Sequence, residues 1–192
     1  MLPKIHIDYI TFSGRGEPTL ALNLGKTIKA VKKLRREPIA VLTNSTLTIR
    51  PDVRKELCKA DLVVLKFDAC SQKSLEKINR PAARLKFKKI FEGIRKFKNM
   101  YTGKLALQIM FVNENENDAV KIAETAHQIH PDEIQINTPL RPSAVKPLSL
   151  LSINKIKKYF KGLNAISVYN ARHKKVKPIS SKDTLRRRGK II

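Results

Sequence analysis

Apolar, strand-like runs alternate with helical patterns along most of the chain. The runs are rich in Ile, Val and Leu, whereas the segments between them place apolar residues three and four positions apart, the spacing of an amphipathic helix. The predicted strands are residues 5–12, 38–43, 61–69, 104–112, 133–138 and 165–169. The predicted helices are residues 20–34, a short helix from Pro51, 71–78, 87–97, 118–129, and 152–160 with Ser152 as its cap.

This alternation predicts the α/β fold class. Nearly continuous apolar strands separated by helices are typical of parallel strands that helices cover. A closed eight-stranded barrel needs roughly 250 residues, and this chain has 192. We therefore expect five to six mostly parallel strands in an incomplete (β/α) TIM-like barrel with outer helices. The barrel is expected over residues 1–164, followed by a basic carboxyl-terminal extension over 165–192.

The charge balance predicts a polyanionic partner. Lys and Arg number 40 against 16 Asp and Glu, which gives a formal net charge of +24, well beyond what solubility requires. The basic residues are densest in the tail, where we expect phosphate contacts and therefore nucleic-acid binding. The candidate nucleic-acid ligands are Arg172, Lys174, Lys175, Lys177, Arg186, Arg187 and Arg188. The alternative is that these charges form a solvated surface.

Cysteine content and hydropathy indicate the compartment. The chain has two cysteines, Cys58 and Cys70, and no apolar run near the ~20 residues of a membrane span. These features predict a cytoplasmic protein with no disulfide framework and no membrane partner. His127 and His130 have a helical spacing but no further ligand nearby, so no metal site is predicted.

Polar residues follow four of the predicted strands. The endings are residues 13–17 (SGRGE), 43–45 (TNS), 66–69 (KFDA) and 135–139 (QINTP). In a parallel α/β sheet, ligands bind beyond the carboxyl ends of the strands. These endings therefore predict one shared pocket. The alternative is that they are ordinary loop beginnings, where Asn, Asp, Ser, Thr and Gly are common.

Several segments together resemble a known family. GRGEPTL, PIAVLTNSTL, DLVVLKFDA, INRPA, FEGIRKF and NTPLRP occur in this order over residues 7–160. They resemble the radical S-adenosylmethionine (radical SAM) proteins, in the branch related to wyosine-type tRNA-modification enzymes. The resemblance implies S-adenosylmethionine and a [4Fe–4S] cluster as cofactors, and tRNA as a partner.

The resemblance also implies roles for individual residues. The Gly-Glu-Pro stretch of the family lines the methionine end of S-adenosylmethionine, so Glu17 would face an ammonium group while neighbouring glycines let the backbone come close. The alternative for Glu17 is a carboxylate favoured at a helix amino terminus. The implied cofactor-binding residues are Ser13, Gly14, Gly16, Glu17, Pro18, Thr43, Asn44, Asp68, Gln135, Asn137 and Thr138.

The family's C-x3-C-x2-C cluster loop does not occur in this sequence. We therefore expect that the chain alone cannot generate a 5′-deoxyadenosyl radical, and the sequence leaves open whether it is an enzyme. It could be a fragment, a split enzyme whose partner chain supplies the cluster loop or pairs with the first strand, or a descendant that retains binding only. The leading hypothesis is a truncated or split radical SAM protein whose parent reaction modifies tRNA. The alternative is a noncatalytic RNA-binding α/β protein with a vestigial S-adenosylmethionine pocket.

Overall fold

The computed structural model describes residues 6–14 and 16–171. Within them, six strands form one parallel sheet whose spatial order follows the chain. The strands are β1 (Ile10–Phe12), β2 (Ile39–Thr43), β3 (Leu62–Lys66), β4 (Lys104–Met110), β5 (Glu133–Asn137) and β6 (Ala165–Ser167). Each lies inside a predicted strand, and the predicted α/β class and open, barrel-like sheet are confirmed.

Helices connect the successive strands. They are α1 (Leu24–Leu34), α2 (Pro51–Leu57), α3 (Gln72–Ser74), α4 (Phe87–Met100), α5 (Asn113–Glu116), α6 (Ala119–His127) and α7 (Leu150–Tyr159). A 3₁₀ turn over Pro18–Leu20 precedes α1, and a π-helical turn over Leu75–Asn79 continues α3. No helix among residues 6–14 and 16–171 is long and apolar enough to cross a membrane.

One face of the sheet packs against the helices and holds the core. Alternate strand residues such as Val41, Leu65 and Leu107 are fully buried and belong to one cluster with Ile28 and Ile94 of the helices. Parallel strands joined by right-handed crossovers in sequential order place their helices on the same side. The opposite face, which we call the inner face, carries the intervening residues and is only partly covered.

Two acidic residues join neighbouring strands at the amino-terminal edge. Asp61, just before β3, accepts a hydrogen bond from the Ile39 amide at 2.7 Å, and Lys32 of α1 lies 2.6 Å from the same carboxylate. Asp132, just before β5, accepts from the Leu105 amide at 2.7 Å and pairs with Lys98 of α4. In both places an aspartate before one strand accepts the amide of the neighbouring strand and pairs with a lysine of a helix. These contacts align β2 with β3 and β4 with β5.

The structure corrects two details of the sequence prediction. Ser149 is the cap of α7, because its hydroxyl accepts the Ser152 amide, so the assignment of Ser152 as the cap was wrong. The predicted helix over 20–34 begins at Leu24, because Pro18–Leu20 forms a separate turn that leaves Leu20 68% exposed.

Candidate ligand-binding site at the carboxyl edge of the sheet

Glu17 connects the loop after β1 to the loop after β2. Its carboxylate accepts hydrogen bonds from the amide and hydroxyl of Thr19, at 3.1 and 2.7 Å. It also accepts from the Thr43 hydroxyl and, at 2.7 Å, from the Asn44 amide. Three of these donors share Oε1, and the Asn44 amide alone contacts Oε2, so one lone-pair site of Oε2 is left for a further donor. Glu17 is thus a structural connector as well as a charged group at the site, and the local capping role of the alternative interpretation is present in its contact with Thr19.

The loop before Glu17 forms an open backbone surface. A Cβ atom placed on Gly14 or Gly16 would meet no atom within 4 Å. A cavity of about 170 Å³, which we call the cradle, extends from this loop to the inner face. Its lining includes Ser13, Gly14, Gly16, Glu17, Pro18, Thr43 and Asn44 from the predicted set, together with Lys66 and Gln108. The structure therefore brings seven predicted residues together from two loops.

Asp68 lies at the carboxyl end of β3 and is buried. One of its carboxylate oxygens accepts the Met110 amide at 2.8 Å. The other accepts the Asn79 side-chain amide at 3.1 Å and lies 2.7 Å from the ammonium of Lys66. Asp68 thus ties β3 to β4, and it lines a second cavity of about 520 Å³ that also includes Glu17 and Asn44.

Polar side chains form a row across the inner face. Lys66, Gln108 and Gln135 are in register on β3, β4 and β5, and the Gln108 amide donates to the Gln135 carbonyl oxygen at 3.2 Å. Asn137 follows on the same side of β5 and is half-buried. Sequence reasoning missed Gln108; the alternation of β4, in which Leu107 and Ile109 are buried, is the signal that places Gln108 on the inner face.

Thr138 is separated from this row. It is buried, and its hydroxyl accepts the Leu148 amide at 2.8 Å, which anchors the segment leading into α7. By the alternation of β5 it follows Ile134 and Ile136 on the helix-covered side. The predicted tail residues Arg172, Lys174, Lys175, Lys177, Arg186, Arg187 and Arg188 lie outside the described residues.

Comparisons with known proteins identify relatives of the chain. No protein-family model matches it. A UPF0026 protein of Methanocaldococcus jannaschii is 38% identical over 156 residues, which cover 78% of this chain and 48% of the relative. A UPF0026 protein of Synechocystis sp. is 41% identical over 143 residues, which cover 74% and 53%. The chain spans about half the length of the curated relatives it matches.

Solved structures of enzymes, one of them a radical SAM methyltransferase, share this fold. A domain of pyruvate-formate lyase-activating enzyme from Bacteroides vulgatus matches with a TM-score of 0.64 at 18% identity, covering 82% of this chain and 97% of that one. SuiB of Streptococcus suis, solved with S-adenosylmethionine, matches with a TM-score of 0.62 at 14% identity, covering 83% and 38%. A radical SAM methyltransferase from Sphaerobacter thermophilus has a TM-score of 0.62 at 17% identity, covering 84% and 50%. The chain therefore has the partial-barrel fold found in radical SAM enzymes.

The cysteines of this chain do not fit a [4Fe–4S] cluster, which the fold family implies and which three thiolates hold. Cys58 precedes β3 and Cys70 follows it, so the strand, roughly 16 Å long, separates them. Both thiols are half-buried, and burial raises the pKa of each, which disfavours the ligating thiolate. Among the described residues, no group of three or more His, Cys, Asp or Glu side chains could hold a metal ion.

Proposed function

We propose that this chain is a radical SAM-type protein that binds S-adenosylmethionine at the carboxyl edge of its sheet. The observation that carries the proposal is the glycine loop beside Glu17, where Gly14 and Gly16 leave space above the backbone and the loop is joined to β2 through Thr43 and Asn44. Space above glycine backbone allows a ligand to approach closely.

Glu17 has a structural role and an electrostatic role in this proposal. Its hydrogen bonds hold the two loops in place, and its negative charge lies beside the cradle, where an ammonium group is favoured. Gln135 and Asn137, on the inner face, are proposed to contact the part of the ligand that extends over the sheet. Asp68 is proposed to act through its contacts with Lys66 and Asn79.

The two cysteines of this chain do not fit the cluster, so these residues alone do not supply the ligands for a radical step. Three cysteine thiolates are needed and these 192 residues contain two cysteines, so at least one ligand would have to come from other residues, in the same or another polypeptide. We propose RNA, and tRNA first, as the substrate of the complete enzyme. The support is the net charge of +24 and the resemblance carried by GRGEPTL and NTPLRP.

Isothermal titration calorimetry of the full chain with S-adenosylmethionine tests the binding. A Cβ at Gly14 or Gly16 meets no atom within 4 Å, so Gly14→Val and Gly16→Val add bulk to the loop that lines the cradle. We expect each to weaken binding by at least about tenfold, the usual scale of a steric intrusion, while thermal unfolding stays at the wild-type temperature. Ala30→Val, on the exposed side of α1, should bind as the wild type does.

Two results would contradict this proposal: no measurable binding by the wild type, or equal binding by wild type and both glycine variants.

A second candidate function, a noncatalytic RNA-binding protein with a vestigial pocket, is favoured by the poor fit of the cysteines to a cluster. Absent S-adenosylmethionine binding together with salt-dependent tRNA binding would support this second candidate.

A further inference from the structure

A basic loop lies over the cavity of about 520 Å³ at the carboxyl edge. We call residues 80–86 the strap; it joins the π-helical turn to α4. Its first residue, Arg80, adopts a left-handed conformation with φ of 42°. At its other end, the Gln72 side chain donates to the Leu85 carbonyl at 2.9 Å and accepts the Phe87 amide at 2.8 Å. Hydrogen bonds to Gln72 therefore hold the end of the strap that leads into α4.

The strap separates two cavities. The inner one, of about 520 Å³, lies between the strap and the ends of β2 and β3, and apolar groups including Leu47, Phe67 and Leu75 line much of it. The outer one, of about 900 Å³, is lined by Gln72, Glu76 and residues 80–88. Both share Pro81, Ala82, Ala83, Leu85 and Phe87. The inner volume lies within the range of small-molecule sites.

The outer side of the strap is positively charged and has little acidic compensation. Arg80, Arg84 and Lys86 are exposed, and none has a carboxylate within ion-pair distance among residues 6–14 and 16–171. The acid that lines the outer cavity, Glu76, accepts a hydrogen bond from Gln72. Three unpaired cations along one short loop favour an anionic ligand with several charges, such as successive phosphates.

The inner cavity favours a planar, mostly apolar group with a polar edge. The half-buried ring of Phe87 lines it and lies 6.4 Å from the ring of Phe67. Uncharged polar groups occur in the same lining at Asn44, Thr46 and Asn79, and its charged residues are Glu17, Lys66 and Asp68. Aromatic and apolar walls with a few amide and hydroxyl groups suit an unstacked nucleobase, which can be stacked on one side and hydrogen-bonded at its edge.

We propose that the strap binds a nucleotide, with phosphates against Arg80, Arg84 and Lys86 and the base in the inner cavity. The nucleotide is either free or an unpaired residue of an RNA strand. This inference deepens the proposed function by naming where RNA enters, and it rests on that function only for the identity of the substrate. The experiments that test the strap contain no S-adenosylmethionine. A negative result in them is therefore distinct from a failure of the chain to bind the cofactor.

Fluorescence anisotropy of the full chain with a labelled single-stranded RNA of about 12 nucleotides, over a series of salt concentrations, tests the phosphate contacts. Arg80→Gln/Arg84→Gln should weaken binding about tenfold and reduce the salt slope by about 1.4, the value for two lost contacts to single-stranded nucleic acid. The control Lys33→Gln/Arg36→Gln removes the same charge at the far end of α1, where both residues are exposed. It should change affinity less than about twofold.

A bulky side chain on the strap tests entry of the base. Ala83 is exposed and lines the inner cavity, so Ala83→Trp should fold normally and narrow the cavity. We expect about tenfold weaker RNA binding with an unchanged salt slope, since a stacked base is lost and phosphate contacts remain. Ala30→Trp, exposed on α1, serves as the control for added bulk and should bind as the wild type does.

Competition with adenosine monophosphate distinguishes the two sources of the ligand. Displacement of RNA from the wild type at millimolar monophosphate supports a free-nucleotide site, whereas displacement by unlabelled RNA alone supports a site for RNA strands.

The proposal is overturned if both charge variants weaken RNA binding equally, because the strap would then be one part of a diffuse basic surface. It is also overturned if Ala83→Trp binds RNA as tightly as the wild type.

Discussion

Replacement of Glu17 by alanine should destabilise the whole fold, because this side chain joins the first two loops of the sheet. The substitution removes four hydrogen bonds, from Thr19, Thr43 and Asn44. A hydrogen bond to a charged group contributes about 1.5 to 3 kcal/mol, but water can replace part of this at a half-buried loop. We therefore expect a loss of about 2 to 4 kcal/mol in the free energy of unfolding.

Glu17→Gln should cost less than Glu17→Ala. Three of the four donors contact the same carboxylate oxygen, and a glutamine carbonyl oxygen, with two lone pairs, keeps an acceptor for them in the same position. The glutamine NH₂ group would then face the Asn44 amide, so one hydrogen bond is lost. We expect a cost of about 1 to 2 kcal/mol, roughly half that of the alanine variant.

Urea denaturation of the full chain measures both variants. With a slope of about 2 to 3 kcal/mol per molar urea, Glu17→Ala should lower the midpoint by about 1 M. Glu124→Ala, exposed on α6, is the matched control and should change stability by less than about 0.5 kcal/mol. If the midpoints of Glu17→Ala and Glu124→Ala agree within error, Glu17 does not stabilise the fold by joining the two loops. If the loss is observed, reduced ligand binding in Glu17→Ala is not by itself evidence of a direct contact.

Two further predictions concern packing and pH. Gly93→Ala should lower the free energy of unfolding by about 1 to 3 kcal/mol in urea titrations, because its Cβ would lie 2.4 Å from the Ile49 amide nitrogen and 2.6 Å from the Thr48 carbonyl carbon; wild-type stability would contradict the close backbone packing. Burial acts to raise the pKa of Asp132, but the hydrogen bond from Leu105 and the charge of Lys98 outweigh it and lower the pKa. A carboxyl with a lower pKa in the folded state stabilises the fold above its unfolded pKa of about 3.9, and this stabilisation is lost as pH falls through the folded value. Unfolding measured at pH 6 and pH 3 should therefore show a smaller acid-induced loss in Asp132→Asn than in the wild type, and equal losses would contradict the assignment.

Hydrophobic patterning predicted the order of strands and helices, because the strands are short apolar runs and the helices place apolar residues three and four positions apart. Leu105, Leu107 and Ile109 are fully buried on one side of β4, and this pattern is visible in the sequence. The boundaries were less accurate. The first predicted strand spans eight residues, whereas β1 has three, since its pairing with β2 starts at the contact of Ile10 with Ile39.

Features set by contacts between distant segments could not be predicted from the sequence. The hydrogen bonds from Thr43 and Asn44 to Glu17 span 26 and 27 residues, and no local pattern encodes them. The short helix α5 was missed because it depends on the Asn115 side chain, which accepts the Val112 amide and donates to the Asp68 carbonyl, 47 residues away. The polar strand endings were visible in the sequence, but the hydrogen bonds of Glu17 and the strap over the inner cavity were not.

Binding of S-adenosylmethionine by the loop at Gly14 and Gly16 can be measured residue by residue. The ligand is titrated into ¹⁵N-labelled full-length protein, and the amide chemical shifts are followed. We expect saturable shifts at Gly14, Gly16 and Asn44, with unchanged amides at Lys33 and Arg36 at the opposite edge of the sheet. Absence of shifts at the glycine loop, or shifts spread evenly over the basic surface, would contradict binding at this loop.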